Sequence, residues 1–272
     1  QHSVKMFLEQ GVQPDILVCR TEHELGKDLK KKIGLFCNVS EDSVIESMDA
    51  ASIYDVPLLM EKEALDIVVL KKLSMPIQSS PDLTAWKDFL HRLRHPKNQI
   101  EIGIIGKYIE LKDAYKSIAE AFIHAGAANE CQVQIRWIHS EEIDDQNVAD
   151  HFKGLAGVLV APGFGERGIE GKITAIRYAR ENKVPFFGIC LGMQCAVIEF
   201  ARNVLGFTEA HSTEMSPDTK YPVIHLQEGQ KTVTHKGGTM RLGAYPCEVA
   251  ADSLARSVYG KSQISERHRH RY

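Results

Sequence analysis

One short run constrains the fold of this chain more than any other, the Gly-Ile-Cys-Leu-Gly segment at residues 188–192. It follows an apolar stretch at 184–187 and precedes a helix predicted over 191–203. A small residue on each side of Cys190 lets the backbone turn sharply and hold the thiol at the end of a strand. The helix start favours a thiolate there, and the backbone N–H of Leu191 can face an oxyanion. The pattern predicts a nucleophile elbow; the alternative is a cysteine buried in the core.

The elbow belongs to a longer alternation of strands and helices. Apolar strand-like runs are predicted at 100–106, 133–138, 155–161 and 184–187, and helices lie between them. This order predicts a doubly wound parallel sheet with a binding crevice at the carboxyl ends of its strands. Gly163 follows one such strand end, where its backbone can approach a ligand and the turn can add an oxyanion N–H. An ordinary strand-to-helix turn is the alternative, and the neighbouring Pro162 has no N–H to donate.

The first 75 residues predict the end of a separate α/β unit. Strand-like runs are predicted at 15–20, 33–37 and 52–54. Helices are predicted at 4–10, 22–32, 41–48, 58–61 and 65–73. Residues 76–98 then form a linker with one helix, on which Trp86, Phe89 and Leu93 share a packing face. A basic cluster at residues 30–32 is either a solvated helix end or a phosphate contact; the spacing alone favours the former.

The last part of the chain has a different character. Residues 213–215 and 220–225 predict β-like segments, 227–236 a polar loop, and 251–259 a helix. Arg241 stands among the glycines of a turn at 237–243. Arginine and histidine alternate at the end of the chain, which is typical of either a basic strand with two faces or a solvated tail, and composition alone favours the tail.

Composition excludes several classes of protein. The 272 residues suffice for one large or two ordinary domains, and the net charge of −3 argues against non-specific nucleic-acid binding. Six scattered cysteines without zinc spacing suggest reduced thiols in the cytoplasm. No apolar run approaches the roughly 18 residues of a membrane span. The first residues are not a signal peptide and lack an initiator Met, so we expect the chain to begin within a longer protein.

Residues 188–194 resemble the nucleophile segment of class I glutamine amidotransferases. Residues 1–4, 106–117, 237–243 and 266–272 resemble the CTP synthase family in particular. The last two segments are the most specific. For the end of the chain, the resemblance implies a basic lid rather than the solvated tail that composition favours. The resemblance implies a doubly wound amidotransferase domain at 99–272, an interdomain linker at 76–98, and the C-terminal part of a P-loop-like α/β synthetase domain at 1–75.

Enzymes of that family are ligases of pyrimidine nucleotide biosynthesis that make CTP from UTP, ATP and glutamine. The synthetase domain phosphorylates the uracil O4, and ammonia released by the glutaminase domain then displaces the phosphate. The resemblance implies Mg²⁺ and ATP, bound mostly by residues preceding Gln1, and GTP as an allosteric activator. It further implies a cytoplasmic homotetramer without nucleic-acid or membrane partners.

The resemblance also implies roles for individual residues. Cys190 is the nucleophile that forms a glutamyl thioester. Glu214 holds the glutamine amino group and Arg271 its carboxylate, and the remaining predicted glutamine contacts are Gly163, Leu191, Gly192, Met193 and Gln194. The residues implied for GTP are Phe164, Arg167, Glu170, Arg241 and Leu242. Those implied for UTP, CTP or ATP are Gln1, Arg20, Lys32 and Asp49, with Lys32 on a phosphate and Arg20 and Asp49 around the adenine. No residue is implied for a metal.

The sequence departs from the family pattern at several points. Pro162 stands where a glycine is expected, and the phosphate-binding glycine loop would precede Gln1. The His-Pro-Glu segment that supplies the general base is expected after Tyr272, since the one His-Pro, at His95, lies in the linker. Two alternatives therefore stay open: an elbow-cysteine hydrolase or peptidase without preference for glutamine, and a non-catalytic assembly fragment in which Cys190 is idle.

Overall fold

The structure is a computed structural model that describes residues 2–77, 80–233 and 241–272, with the side chains of Lys112, Arg241 and Leu242 left out. The chain divides into two compact units, Gln1–His95 and Pro96–Tyr272. The helix expected in the linker therefore belongs to the first unit. No described helix has the length and apolar character that crossing a membrane requires.

The first unit contains a parallel pair of strands surrounded by helices. Its strands are β1 (Leu17–Thr21) and β2 (Val44–Met48), with Leu17 opposite Val44. Its helices are α1 (His2–Glu9), α2 (Lys27–Cys37), α3 (Val56–Lys62), α4 (Leu65–Lys72) and α5 (Thr84–Arg94). On α5, Trp86 lies 6.2 Å and Phe89 5.3 Å from the ring of Tyr54, centroid to centroid, which confirms the packing face predicted there.

Three predictions in this unit are wrong. The strand expected at 33–37 is the second half of α2, and Asn38 ends that helix in the left-handed conformation, with its N–H donated to the Gly34 carbonyl. The helix expected at 41–48 is mostly β2, because Val44 and Ile45 are almost fully buried in pairing with β1. Tertiary pairing outweighs local propensity in a run this short. The third strand, at 52–54, is a 3₁₀ turn.

The second unit is built on a four-stranded parallel sheet in the order β4-β3-β5-β6. Its strands are β3 (Asn98–Gly106), β4 (Cys131–His139), β5 (Gly157–Val160) and β6 (Phe186–Gly188). The helices between and after them are α6 (Lys116–Ala128), α7 (Val148–Phe152), α8 (Ile169–Glu181) and α9 (Leu191–Asn203). This confirms the predicted doubly wound α/β class.

Alternating residues of the central strands bury both faces of this sheet. Ile105 of β3 and Val160 of β5 pack with α8 and α9 on one face. Ile104 and Leu159, their neighbours in sequence, pack with Tyr115 on the other. Both strands are thus covered on each side, as their continuous apolar runs predict. The carboxyl ends of β5 and β6 meet at one edge, where the 162–165 turn and the elbow follow them.

The remainder of the second unit adds two strand pairs. Strands β7 (Ala210–Ser212) and β8 (Tyr221–Ile224) are parallel. Strands β9 (Arg241–Glu248) and β10 (Gln263–Arg269) are antiparallel and flank the short helix α10 (Leu254–Tyr259). The basic end of the chain is therefore largely a paired strand, and the solvated tail favoured by composition is wrong. Residues 234–236 of the predicted polar loop and 237–240 of the predicted glycine turn lie outside the described residues.

Candidate active site

Cys190 sits at a strained turn between β6 and α9. Its backbone has φ 52° and ψ −106°, a conformation that costs a non-glycine residue free energy. A Cβ on Gly188 would lie 2.7 Å from the backbone of Met193, and one on Gly192 would lie 2.1 Å from the Val160 carbonyl oxygen. Both glycines are thus required by close backbone approach, and the predicted elbow geometry is confirmed.

The thiol of Cys190 is half-buried, and its burial raises its pKa. The backbone N–H of Leu191 and the Lys172 side chain oppose this shift, while the Glu214 carboxylate adds to it. The N–H at the start of α9 thus favours the thiolate, as expected, although its effect is smaller than that of burial. Desolvation outweighs the helix terminus, and deprotonation of the thiol needs help from elsewhere.

Cys190 opens into a pocket of about 430 Å³. Several predicted glutamine contacts meet there, although their positions in the sequence are far apart. The residues that line it are Gly163, Phe164, Cys190, Gln194, Glu214, Arg269, His270, Arg271 and Tyr272. The other three predicted contacts lie in the first turn of α9 and do not line the pocket. Leu191 is buried, Gly192 is close to β5, and Met193 is 46% exposed.

The pocket carries opposite charges on Glu214 and Arg271. Glu214 accepts a hydrogen bond from the Gly165 N–H at 3.1 Å. The Arg271 Nη1 and His270 Nε2 atoms are buried, and neither has a hydrogen-bond partner among the described residues. Buried donors of this kind call for an acceptor, and a carboxylate satisfies a guanidinium well. The pair therefore suits a zwitterion with one acidic and one amino group.

Lys107 holds the 162–165 turn in place. This nearly buried side chain donates hydrogen bonds from Nζ to the carbonyl oxygens of Phe164 and Gly165, the latter at 2.9 Å. Gly163 lines the pocket, and a Cβ there would lie 2.9 Å from Lys107 Cε. The analysis of the sequence missed Lys107 as a functional residue, although it lies in one of the segments that carry the family resemblance.

Of the residues implied for GTP, the structure describes the side chains of Phe164, Arg167 and Glu170. Phe164 is exposed at the rim of the pocket. Arg167 pairs with Glu141 at 3.0 Å and lies over the Tyr108 ring, and Glu170 pairs with Arg202 at 3.0 Å. The side chains of Arg241 and Leu242 lie outside the described part of the structure.

The residues implied for pyrimidine nucleotides and ATP lie in the first unit. Arg20 Nε and Asp49 Oδ1 are 2.8 Å apart, because Arg20 near the carboxyl end of β1 lies beside the residue that follows β2. Lys32 is exposed on α2, whereas Lys30 of the same basic cluster pairs with Glu63 at 2.6 Å. Gln1 is not among the described residues. Within the described residues no group of three acidic, histidine or cysteine side chains could hold a metal ion.

The fold and this site together define a class I glutamine amidotransferase domain. Residues 110–272 match the family model for glutamine amidotransferase class-I. The solved glutaminase domain of Trypanosoma brucei CTPS with bound acivicin superposes with a TM-score of 0.57 at 36% identity, over 64% of this chain and 67% of that one.

The rest of the chain narrows the family further. Residues 1–75 match the model for the CTP synthase N-terminus. The CTP synthase of Cytophaga hutchinsonii is 64% identical over all of this chain and 50% of its own length. That of Methanocaldococcus jannaschii is 54% identical over all of this chain and 51% of its own length. The chain belongs to the CTP synthase family, and it spans about half the length of these curated relatives. The matches do not favour the hydrolase or assembly alternatives.

Proposed function

We propose that this chain carries the glutamine-hydrolysing site of a CTP synthase, the ligase that uses ATP and glutamine to aminate UTP to CTP. The observation that supports this most strongly is the pocket in which Cys190, on its elbow, faces Glu214 and Arg271. A nucleophile alone would fit many hydrolases. A nucleophile beside one carboxylate and a guanidinium whose buried Nη1 has no partner among the described residues fits an amino acid substrate.

The proposed chemistry begins with glutamine oriented by this charged pair. Arg271 binds the substrate carboxylate and Glu214 the ammonium, which directs the side-chain amide to Cys190. The sulfur attacks the amide carbon, the Leu191 N–H stabilises the oxyanion, and the C–N bond breaks to release ammonia. Water then cleaves the thioester to glutamate. The thiol proton passes to a general base and from it to the departing amide nitrogen, and no described residue is proposed for this base.

The residues proposed to bind ATP and pyrimidine nucleotides lie in the first unit. Its match to the CTP synthase N-terminus supports a role for Arg20 and Asp49 near an adenine, and for Gln1 and Lys32 toward a pyrimidine nucleotide. Phe164, Arg167, Glu170, Arg241 and Leu242 are proposed for GTP, the activator. The family resemblance further supports magnesium with ATP, a homotetramer and a cytoplasmic location as parts of the proposal.

A substitution at Cys190 tests this function in the complete enzyme. We expect Cys190→Ala to abolish CTP formation from glutamine and to leave CTP formation from added ammonia intact, because only amide cleavage needs the thiol. The matched control is Cys247→Ala, an exposed cysteine on β9, which should keep both activities. Equal loss of the two activities in Cys190→Ala would contradict the assignment.

A further inference from the structure

Two buried lysines hold the ends of the 162–165 turn. The fully buried Lys172 of α8 donates a hydrogen bond, 2.8 Å long, from Nζ to the carbonyl oxygen of Ala161, the residue before the turn. Lys107, 3% exposed and directly after β3, donates from Nζ to the carbonyl oxygens of Phe164 and Gly165, the latter at 2.9 Å. Burying an ammonium costs more free energy than burying an apolar side chain, so packing alone gives no reason for a lysine at position 107.

The hydroxyl group of Tyr115 fixes the backbone at Lys107. This buried phenol accepts hydrogen bonds from the N–H groups of Lys107 and Tyr108, each 3.3 Å long. A Cβ on Gly106 would lie 2.5 Å from the same oxygen, so the ring packs closely against the end of β3. Because the start of the Lys107 side chain is held in this way, its ammonium is delivered to one place beside the turn.

Gly165 connects this lysine to the Cys190 pocket. Its carbonyl oxygen accepts from Lys107, and its N–H donates to Glu214 Oε1 at 3.1 Å. Its φ of 71° lies in the left-handed region, which a glycine enters and leaves without steric cost, so the residue does not hold this conformation by itself. The hydrogen bonds from Lys107 therefore stabilise the conformation in which the Gly165 N–H reaches Glu214.

We propose that Lys107 is a positioning residue that sets the preference of the pocket for a substrate amino group, because it orients Glu214 through the Gly165 N–H. This inference rests on the proposed function, in which Glu214 binds the ammonium of glutamine. The turn holds one oxygen of this carboxylate, so the direction in which Glu214 presents its charge depends on the turn. Lys107 contacts no substrate atom in this role and acts on the substrate only through Glu214.

The test measures how well two ligands protect Cys190 of the complete enzyme from alkylation by iodoacetamide, resolved by peptide mass mapping. The ligands are glutamine and the monoamide of glutaric acid, which has the same carboxylate and side-chain amide but no amino group. Lys107→Met removes the hydrogen-bond donors at similar length, and Lys107→Gln is a second, polar replacement. Glu214→Gln removes the carboxylate charge directly, and the exposed Lys153→Met is the matched control. Thermal unfolding establishes that each variant is folded.

In the wild type, glutamine should protect Cys190 at lower concentration than the monoamide, and Glu214→Gln should abolish this preference. We expect both Lys107 variants to weaken protection by glutamine about ten-fold, and protection by the monoamide by less than about two-fold. Lys153→Met should keep the wild-type preference. Adding Lys107→Met to Glu214→Gln should weaken protection by glutamine no further, because both changes act on the same contact.

An unchanged preference for glutamine in the folded Lys107 variants would overturn the inference. An equal loss of protection by both ligands would overturn it too, since a purely structural role gives that result, and so would additive effects in the double variant.

The proposed function fails separately, if glutamine does not protect Cys190 of the wild type at all, and the inference then fails with it. Protection by glutamine that responds to Glu214→Gln but not to the Lys107 variants rejects the lysine's role alone.

Discussion

Cys190 is held in an unfavourable state in two respects, its backbone conformation and its burial. The positive φ strains the backbone, and desolvation raises the pKa of the thiol. Both follow from placing a cysteine where a strand ends against a helix. The motif at 188–192 predicts this placement, because only small residues fit at its two ends. It does not predict Lys107 or Lys172, since neither the turn they support nor their burial leaves a periodic signal in the sequence.

The glycine after the nucleophile gives the first prediction. Gly192→Ala places a methyl group 2.1 Å from the Val160 carbonyl oxygen, and because backbone must move to relieve the contact, we expect a loss of about 3 kcal/mol in the free energy of unfolding. Urea denaturation measures it. Gly229→Ala, at a site with nothing within 4 Å of the new atom, should change stability by less than about 0.5 kcal/mol. Equal stability of the two variants would refute the close packing of the elbow.

The second prediction concerns pH and stability at Lys172. The folded state lowers the pKa of this lysine from 10.5 to about 8, so the unfolded chain binds more protons between these values. The charged lysine therefore destabilises the fold fully below pH 8, and less as the pH rises toward 10.5. We expect Lys172→Met to raise the free energy of unfolding by roughly 3 kcal/mol at pH 7 and to lose this advantage above about pH 10.

Urea denaturation at pH 7 and at pH 10.5 provides the comparison, with the exposed Lys153→Met as control. A Lys172→Met variant less stable than the wild type at pH 7 would contradict the prediction. It would show that interactions in the folded state offset the free-energy cost of burying the ammonium.

At the scale of elements, α8 and α9 hold the two sides of the site together. Gly163 precedes α8 and Cys190 precedes α9, so the packing of these helices sets the spacing between turn and nucleophile. The alternation of strands and helices in the sequence predicts both helices. It does not predict the contact between Arg180 and Glu199, because that pair depends on how the helices cross. For the same reason the sequence does not predict β2, because pairing with β1 determines the conformation of its apolar run.

The ion pair between these helices gives the third prediction. Glu199 is 1% exposed and accepts hydrogen bonds from Arg180, the shortest at 2.8 Å, and from Asn203 at 3.2 Å. We expect Glu199→Gln to lower the free energy of unfolding by about 2–3 kcal/mol, because the Arg180 charge loses its buried partner. Chemical denaturation measures this loss. Glu181→Gln, which removes an exposed partner of the same arginine, should cost under about 1 kcal/mol, and equal effects would refute the role of burial.

At the scale of the whole molecule, the chain divides into two compact units. All residues that line the Cys190 pocket lie in the second unit, and the residues proposed for ATP and UTP lie in the first. The sequence predicts an interdomain linker at 76–98, and the compact units divide after His95, near the end of that segment. Short motifs in the sequence predict the family. It does not show which of the implied residues meet in space, since Glu214 and Arg271 are far from Cys190 along the chain and approach it only through the fold.

The most direct test of the account is labelling of the chain with 6-diazo-5-oxo-norleucine, a glutamine-like electrophile, followed by peptide mass mapping. The account predicts a single modified residue, Cys190, with labelling slowed by glutamine and absent in Cys190→Ala. Glutamate should protect less well, because it lacks the amide that faces the thiol. Labelling spread over several cysteines, or labelling of Cys190 that glutamine does not slow, would contradict the claim that this pocket binds glutamine for attack by the elbow cysteine.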